Sequence, residues 1–154
     1  MSKFQGEYES TVDSKNRFLM PAAVKKQLPE SENSFTISRG AGNCLTLYPK
    51  STWDNILNKI SGLNDLDPRV VVFKRNFLRG ATEVSLDAAG RLNLPASLKE
   101  YGGIDKEIII FGVLSRFEIW DKAKYNAMFD TTSELALSEN SKAILDDYKI
   151  NFND

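Results

Sequence analysis

Along residues 7–12 the side chains alternate, with Tyr8, Ser10 and Val12 on one face and Glu7, Glu9 and Thr11 on the other. A period of two marks a strand with one buried face. Asp13-Ser-Lys-Asn16 interrupts it with turn chemistry, because Asp bonds its own backbone two residues on and Asn accepts a left-handed conformation. The alternation resumes with Phe18 and Met20 opposite Leu19, which predicts an opening hairpin. Pro21 suits the first turn of a short helix over 24–28. Residues 35–37 and 45–48 predict a second pair of strands, joined through the glycine turn Arg39-Gly-Ala-Gly42. Trp53, Ile56, Leu57 and Ile60 then fall at i, i+3, i+4 and i+7, the stripe of a closing helix with Ser51 as its N-cap and Gly62 at its end.

The whole pattern recurs. Gly6-Glu-Tyr-Glu-Ser-Thr-Val-Asp13-Ser-Lys-Asn-Arg17 returns 74 positions later as Gly80-Ala-Thr-Glu-Val-Ser-Leu-Asp87-Ala-Ala-Gly-Arg91, each copy followed by a Pro-Ala. At a spacing of 72, Gly40 matches Gly112, and Leu45-Thr-Leu-Tyr48 matches Phe117-Glu-Ile-Trp120. Residues 98–101 repeat the short helix, and Tyr125, Met128 and Phe129 repeat the closing stripe behind Asp121. A duplicated β-β-α-β-β-α unit follows. Gly90 stands where the first copy has Asn16, so this position of the turn is expected to be left-handed. Asp13, Asn16, Asp87 and Gly90 are therefore the turn-shaping residues. Between the copies, Pro68 opens a connecting helix rich in Val and Phe, which is expected to be buried. After them, Leu137, Ser141, Ile144, Leu145 and Tyr148 form a helical face that needs a partner. The boundaries are 5–62, 63–79 for the connecting helix, 80–129, and 130–154 for an acidic C-terminal helix.

Composition narrows the function. Each copy alone is marginal for an independent core, so the two are expected to share one. There is no histidine and one cysteine among 154 residues, which removes the material for a Cys/His zinc site or a His-activated nucleophile. No phosphate-binding loop motif is present. Cys44 lies in a strand pattern and reads as a small buried hydrophobe; Trp53, Trp120 and Tyr125 read as core. No run approaches the roughly 20 apolar residues of a membrane span, and no secretory h-region opens the chain, so a cytoplasmic protein is expected. The net charge of −1 divides into +3 for residues 1–129 and −4 for 130–154, a split that permits contact between the body and a polyanion.

The Asp-x-x-x-Arg of each turn admits two explanations. Arg17 and Arg91 can staple their turns by pairing with Asp13 and Asp87, or the hairpin tip can present Lys15 and Arg17 to phosphates and guanine edges. Arg69, Lys74, Arg75 and Arg79 form a further basic cluster, either a solvated helix face or a wider electrostatic footprint.

Gly6-Glu-Tyr, Asp13-Ser-Lys-x-Arg17, Leu-Tyr-Pro-x-x-x-Trp53, Gly80-Ala-Thr-Glu, Asp87-x-x-Gly-Arg91 and Phe117-Glu-Ile-Trp120-Asp together resemble the MraZ family of bacterial transcriptional regulators, from about residue 4 to residue 129. The resemblance implies an α+β fold in which two SpoVT/AbrB-like swapped-hairpin repeats form a double-split β-barrel, with the C-terminal helix added. It implies a nucleoid-associated repressor of the division and cell-wall gene cluster. Such a protein acts as a ring of identical subunits on double-stranded DNA carrying repeated promoter boxes, without cofactor, metal, membrane or small-molecule substrate. Its DNA contacts fall on Arg17, Lys15 and Arg91, with Lys3 near the position of a further basic residue. Three positions depart from the family pattern: Asn16 replaces a glycine, Gln5 replaces a basic residue, and Ala88-Ala89 brings no lysine to the second turn. A ring-forming protein-interaction module that does not bind DNA is the alternative.

Overall fold

The computed structural model describes residues 3–130 and 133–153; residues 131, 132 and 154 of the acidic C-terminal segment lie outside the described residues. The first copy comprises β1 (Phe4–Thr11), β2 (Arg17–Leu19), α1 (Ala22–Lys25), β3 (Ser34–Arg39), β4 (Leu45–Pro49) and α2 (Lys50–Ser61). A connecting helix, α3 (Pro68–Leu78), leads to the second copy: β5 (Thr82–Ser85), β6 (Arg91–Asn93), α4 (Ala96–Tyr101), β7 (Glu107–Leu114), β8 (Arg116–Asp121) and α5 (Lys122–Asp130). The C-terminal helix is α6 (Glu134–Asp147).

Proline sets several helix starts. Pro21, Pro49 and Pro95 occupy the N-cap positions of α1, α2 and α4 with φ between −56° and −58° and extended ψ, one residue earlier than the first-turn position expected of Pro21. Pro49 also displaces Ser51 from its expected cap. Ser51 lies in the first turn of α2 and its hydroxyl bonds Glu32 instead. Pro68 does open α3, and the side chain of Asp67 caps that helix by accepting from the Arg69 N–H.

The copies interlock. The six-stranded sheet runs β1-β7-β8-β4-β3-β5, and β2 pairs with β6 in a separate two-stranded ribbon, every pairing antiparallel. The order is symmetric about the central β4–β8 pair, so each first strand completes the other copy's sheet. The expected hairpin of residues 7–20 therefore closes only at its turn. Past the single bridge between Val12 and Phe18, β1 departs to β7 and β2 departs to β6. These two departures, with the matching pair at β5 and β6, are the splits of a double-split β-barrel.

Phe18 and Leu92 from the ribbon meet Phe35, Ile37, Leu45, Leu47, Ile108, Ile110, Phe117 and Ile119 from the sheet in one buried cluster. Both copies thus share one core, as marginal halves require. On the opposite side of β3 and β4, Thr36, Ser38 and Thr46 are buried as well, and the Ser38 and Thr46 hydroxyls bond each other. Trp53 of α2 lies against Tyr48 there.

The expected equivalence of Gly40 with Gly112 is not structural. Gly6 faces Gly112 on β7, whereas continuing the β3–β5 register puts Arg39 opposite Gly80. The β3–β4 connection is longer than the tight β7–β8 one, which shifts the match by one residue. At Gly112 a Cβ would stand 2.4 Å from the Gln5 backbone nitrogen, so the close approach of β1 is what demands glycine.

The expected burial of α3 fails. No α3 residue is buried; Phe77 stacks on Trp53 with centroids 5.4 Å apart, while Val72 and Phe73 remain exposed. A continuous apolar run cannot turn every side chain toward one neighbour. Residues through Lys122 form one compact unit and Ala123–Asp154 a second. Within the second, Tyr125 and Phe129 meet edge to face, and Leu137, Ile144 and Tyr148 of the C-terminal segment are exposed.

Candidate nucleic-acid interface

The two turns are built alike. Asp13 Oδ1 accepts the backbone N–H groups of Lys15 at 2.9 Å and Arg17 at 2.8 Å, and Asp13 Oδ2 accepts Arg17 Nε at 3.0 Å. Asp87 Oδ1 accepts Ala89 N and Arg91 N, both at 2.9 Å, and Asp87 Oδ2 accepts Arg91 Nε at 3.0 Å. The Arg17 and Arg91 N–H bonds, foremost, hold these carboxyls below the ordinary carboxylate range, with the guanidinium pairing adding to the shift. Asn16 has φ 60° and Gly90 φ 81°, the conformation in which an Asn or Gly closes such a turn.

Each staple engages only the Nε of its arginine, and the Nη groups of Arg17 and Arg91 make no hydrogen bond among the described residues. The side chains are 28% and 34% exposed. Stapling and presentation are thus compatible: the carboxylate fixes the plane of the fork and leaves its outer donors open.

The β2–β6 register carries both arginines to one surface. Phe18 faces Leu92 and both are fully buried, whereas Arg17 faces Asn93 and Leu19 faces Arg91. Alternation puts the latter four on the outward side of the ribbon. Each turn also receives a lysine from the opposite copy. Lys99 Nζ reaches Asn16 Oδ1 at 3.0 Å, and Lys25 Nζ stands 2.8 Å from where a Cβ on Gly90 would be. Backbone bonds bind the turns across copies as well: Leu94 N donates to Asn16 O at 2.7 Å and Met20 N to Gly90 O at 3.0 Å.

Lys15 is exposed at the first turn, beside a concavity lined by Lys99 and Lys106 along with Asp13 and Asp105. Lys3 lies beyond the opposite end of β1, so the structure does not join it to Lys15 and Arg17. In the α3 region, Arg69 pairs with Asp67 at 2.7 Å and Lys74 with Asp65 at 2.6 Å, whereas Arg75 and Arg79 are exposed and make no ion pair among the described residues. Lys25 and Lys99 were not among the candidates from sequence, although they obey the same 74-residue spacing as Arg17 and Arg91.

Among the described residues, no group of three or more His, Cys, Asp or Glu is arranged to hold a metal, and no helix is long and apolar enough to cross a membrane. Cys44 is fully buried, and desolvation foremost, with the nearby Glu118 charge, pushes its thiol up to about 12.

Interlocked halves, crossed first strands and paired Asp-x-x-x-Arg turns define a duplicated SpoVT/AbrB-like barrel protein. The family model described as "MraZ protein, putative antitoxin-like" matches twice, over residues 3–75 and 77–148. The chain belongs to the MraZ family. It is similar to the protein named transcriptional regulator MraZ from Cytophaga hutchinsonii, 38% identical over 138 residues that cover 88% of this chain and 91% of the relative. It is also similar to those so named from Acetivibrio thermocellus, 39% identical over 80% of this chain and 85% of the relative, and from Christiangramia forsetii, 39% identical over 84% of each.

Proposed function

We propose that this protein is a transcriptional regulator that binds double-stranded DNA in a sequence-specific way and represses, acting as a ring of identical subunits on repeated promoter boxes. The observation that carries this reading is the ribbon register, which sets Arg17 and Arg91 on one outward face with a lysine from the opposite copy over each turn. A two-stranded ribbon fits the major groove, where an arginine fork recognises a guanine edge. Lys15, Lys25 and Lys99 supply phosphate contacts that fix register without reading sequence. Lys3 serves as an outlying phosphate contact. Relatives named transcriptional regulators support the regulatory role, and the family resemblance directs it to the division and cell-wall gene cluster, in the cytoplasm at the nucleoid.

One barrel offers a small contact, so assembly matters. Joining several faces in a ring makes later contacts intramolecular and raises avidity by roughly 10² to 10⁴ where the spacing fits. The exposed apolar residues of α3 and of the C-terminal segment supply surface for assembly. They equally support a second reading, a ring-forming interaction module in which Arg17 and Arg91 only staple turns.

Fluorescence-anisotropy titration against promoter fragments from upstream of its own gene separates the two. Repressor action expects binding that weakens with salt at a log-log slope of roughly −0.9 per neutralised phosphate. Arg17→Ala is expected to remove operator binding while leaving assembly size by light scattering unchanged. Equal binding by wild type and variant would sink the role of Arg17, and no binding to any fragment would favour the interaction module.

A further inference from the structure

We infer that Leu19 and Asn93 read bases and give the ribbon a direction along DNA. The inference rests on the DNA-binding reading above. Of the four outward residues, Arg17 and Arg91 are equivalent under the duplication, and Leu19 and Asn93 are equivalent to each other. The latter pair is therefore where the outward face departs from two-fold symmetry. One end carries an arginine beside an amide, and the other an arginine beside a branched alkyl group.

Both odd residues are exposed. Leu19 is 55% exposed although its neighbours Phe18 and Met20 are buried. Its backbone carbonyl accepts from the Ser10 hydroxyl at 2.7 Å, and its Cδ1 lies 3.8 Å from where a Cβ on Gly90 would be. The side-chain amide of Asn93 is exposed and makes no hydrogen bond among the described residues. More than half of Leu19 faces water in the free protein, so an apolar contact with DNA would bury it further. Against DNA both types have defined partners. Asn bonds adenine through N6 and N7, and an apolar group packs on the thymine methyl.

Residues two apart on a strand are about 6.6 Å apart, close to two base-pair steps of about 3.4 Å. The Arg17–Asn93 pair and the Leu19–Arg91 pair therefore address base pairs two steps apart on one groove floor. The recognised element is not a palindrome: an adenine beside the Arg17 guanine marks one end, and a thymine methyl beside the Arg91 guanine marks the other.

The test selects binding sites from a randomised duplex pool with wild type, Asn93→Ala and Leu19→Ala, all intact full-length chains, and checks fold and assembly size by circular dichroism and light scattering. Wild type is expected to select a non-palindromic element. Replacing its adenine by 7-deazaadenine is expected to weaken wild type roughly five- to 150-fold and leave Asn93→Ala unchanged. Replacing its thymine by uracil, which lacks the methyl, is expected to weaken wild type several-fold, by about the loss of one buried methyl group, and leave Leu19→Ala unchanged. Leu19→Asn makes the four outward ribbon positions two-fold symmetric and is expected to shift selection toward an inverted repeat. Wild-type base preference in both alanine variants overturns this inference and leaves the repressor reading standing. A wild type that binds all sequences alike removes both.

Discussion

At the residue scale, Asp13 and Asp87 commit both carboxylate oxygens to their own turns, so they report turn integrity through their protonation. Both pKa values lie below the ordinary 3.8 in the folded chain. The stability they lend is present above that value and is lost as pH falls through the lowered one. Carboxyl titration by NMR is expected to find the Asp13 and Asp87 midpoints below the ordinary aspartate value, and midpoints at that value would contradict the turn bonds. Asn16 holds φ 60° where its counterpart is glycine. Asn16→Ala is therefore expected to lose about 1 kcal/mol in urea unfolding, and Asn16→Gly to lose less. Cys44, buried with its thiol at about 12, is expected to resist alkylation in native buffer and react at once in denaturant. Turn chemistry was legible in the sequence because Asp, Asn and Gly act on their own neighbours. Lys25 and Lys99 were not, because each works over a turn of the other copy; the clue available was their shared spacing with the arginines.

At the element scale, alternation revealed which side chains face inward and the duplication revealed how many strands to expect. Neither could say that β1 would leave β2 for β7. The inward set of a strand is the same whichever strand lies beside it, so partner choice is silent in a period of two. The Val and Phe of α3 misled for the opposite reason: apolar content marks an ability to pack, and only one side of that helix found a neighbour. Gly112, which the repeat matched to Gly40, owes its identity instead to the Gln5 backbone crossing it. Gly112→Ala is expected to destabilise the fold by about 1 to 3 kcal/mol, as forced overpacking does, with a lower urea midpoint as the readout.

At the scale of the whole molecule, sheet and core are joint products of both copies, so unfolding of the unit through Lys122 is expected to be one cooperative event. Fragments 1–62 and 63–154, made separately, are expected to lack stable barrel structure by circular dichroism and to recover it when mixed. A fragment that folds alone would contradict the shared core. The connecting helix gains its importance here. Two free halves would have to collide before a reading face existed, and dilution would dissolve it. With α3 as a tether, each half meets the other at an effective concentration in the millimolar range. A cell holding only a handful of these molecules would therefore still hold every one of them complete.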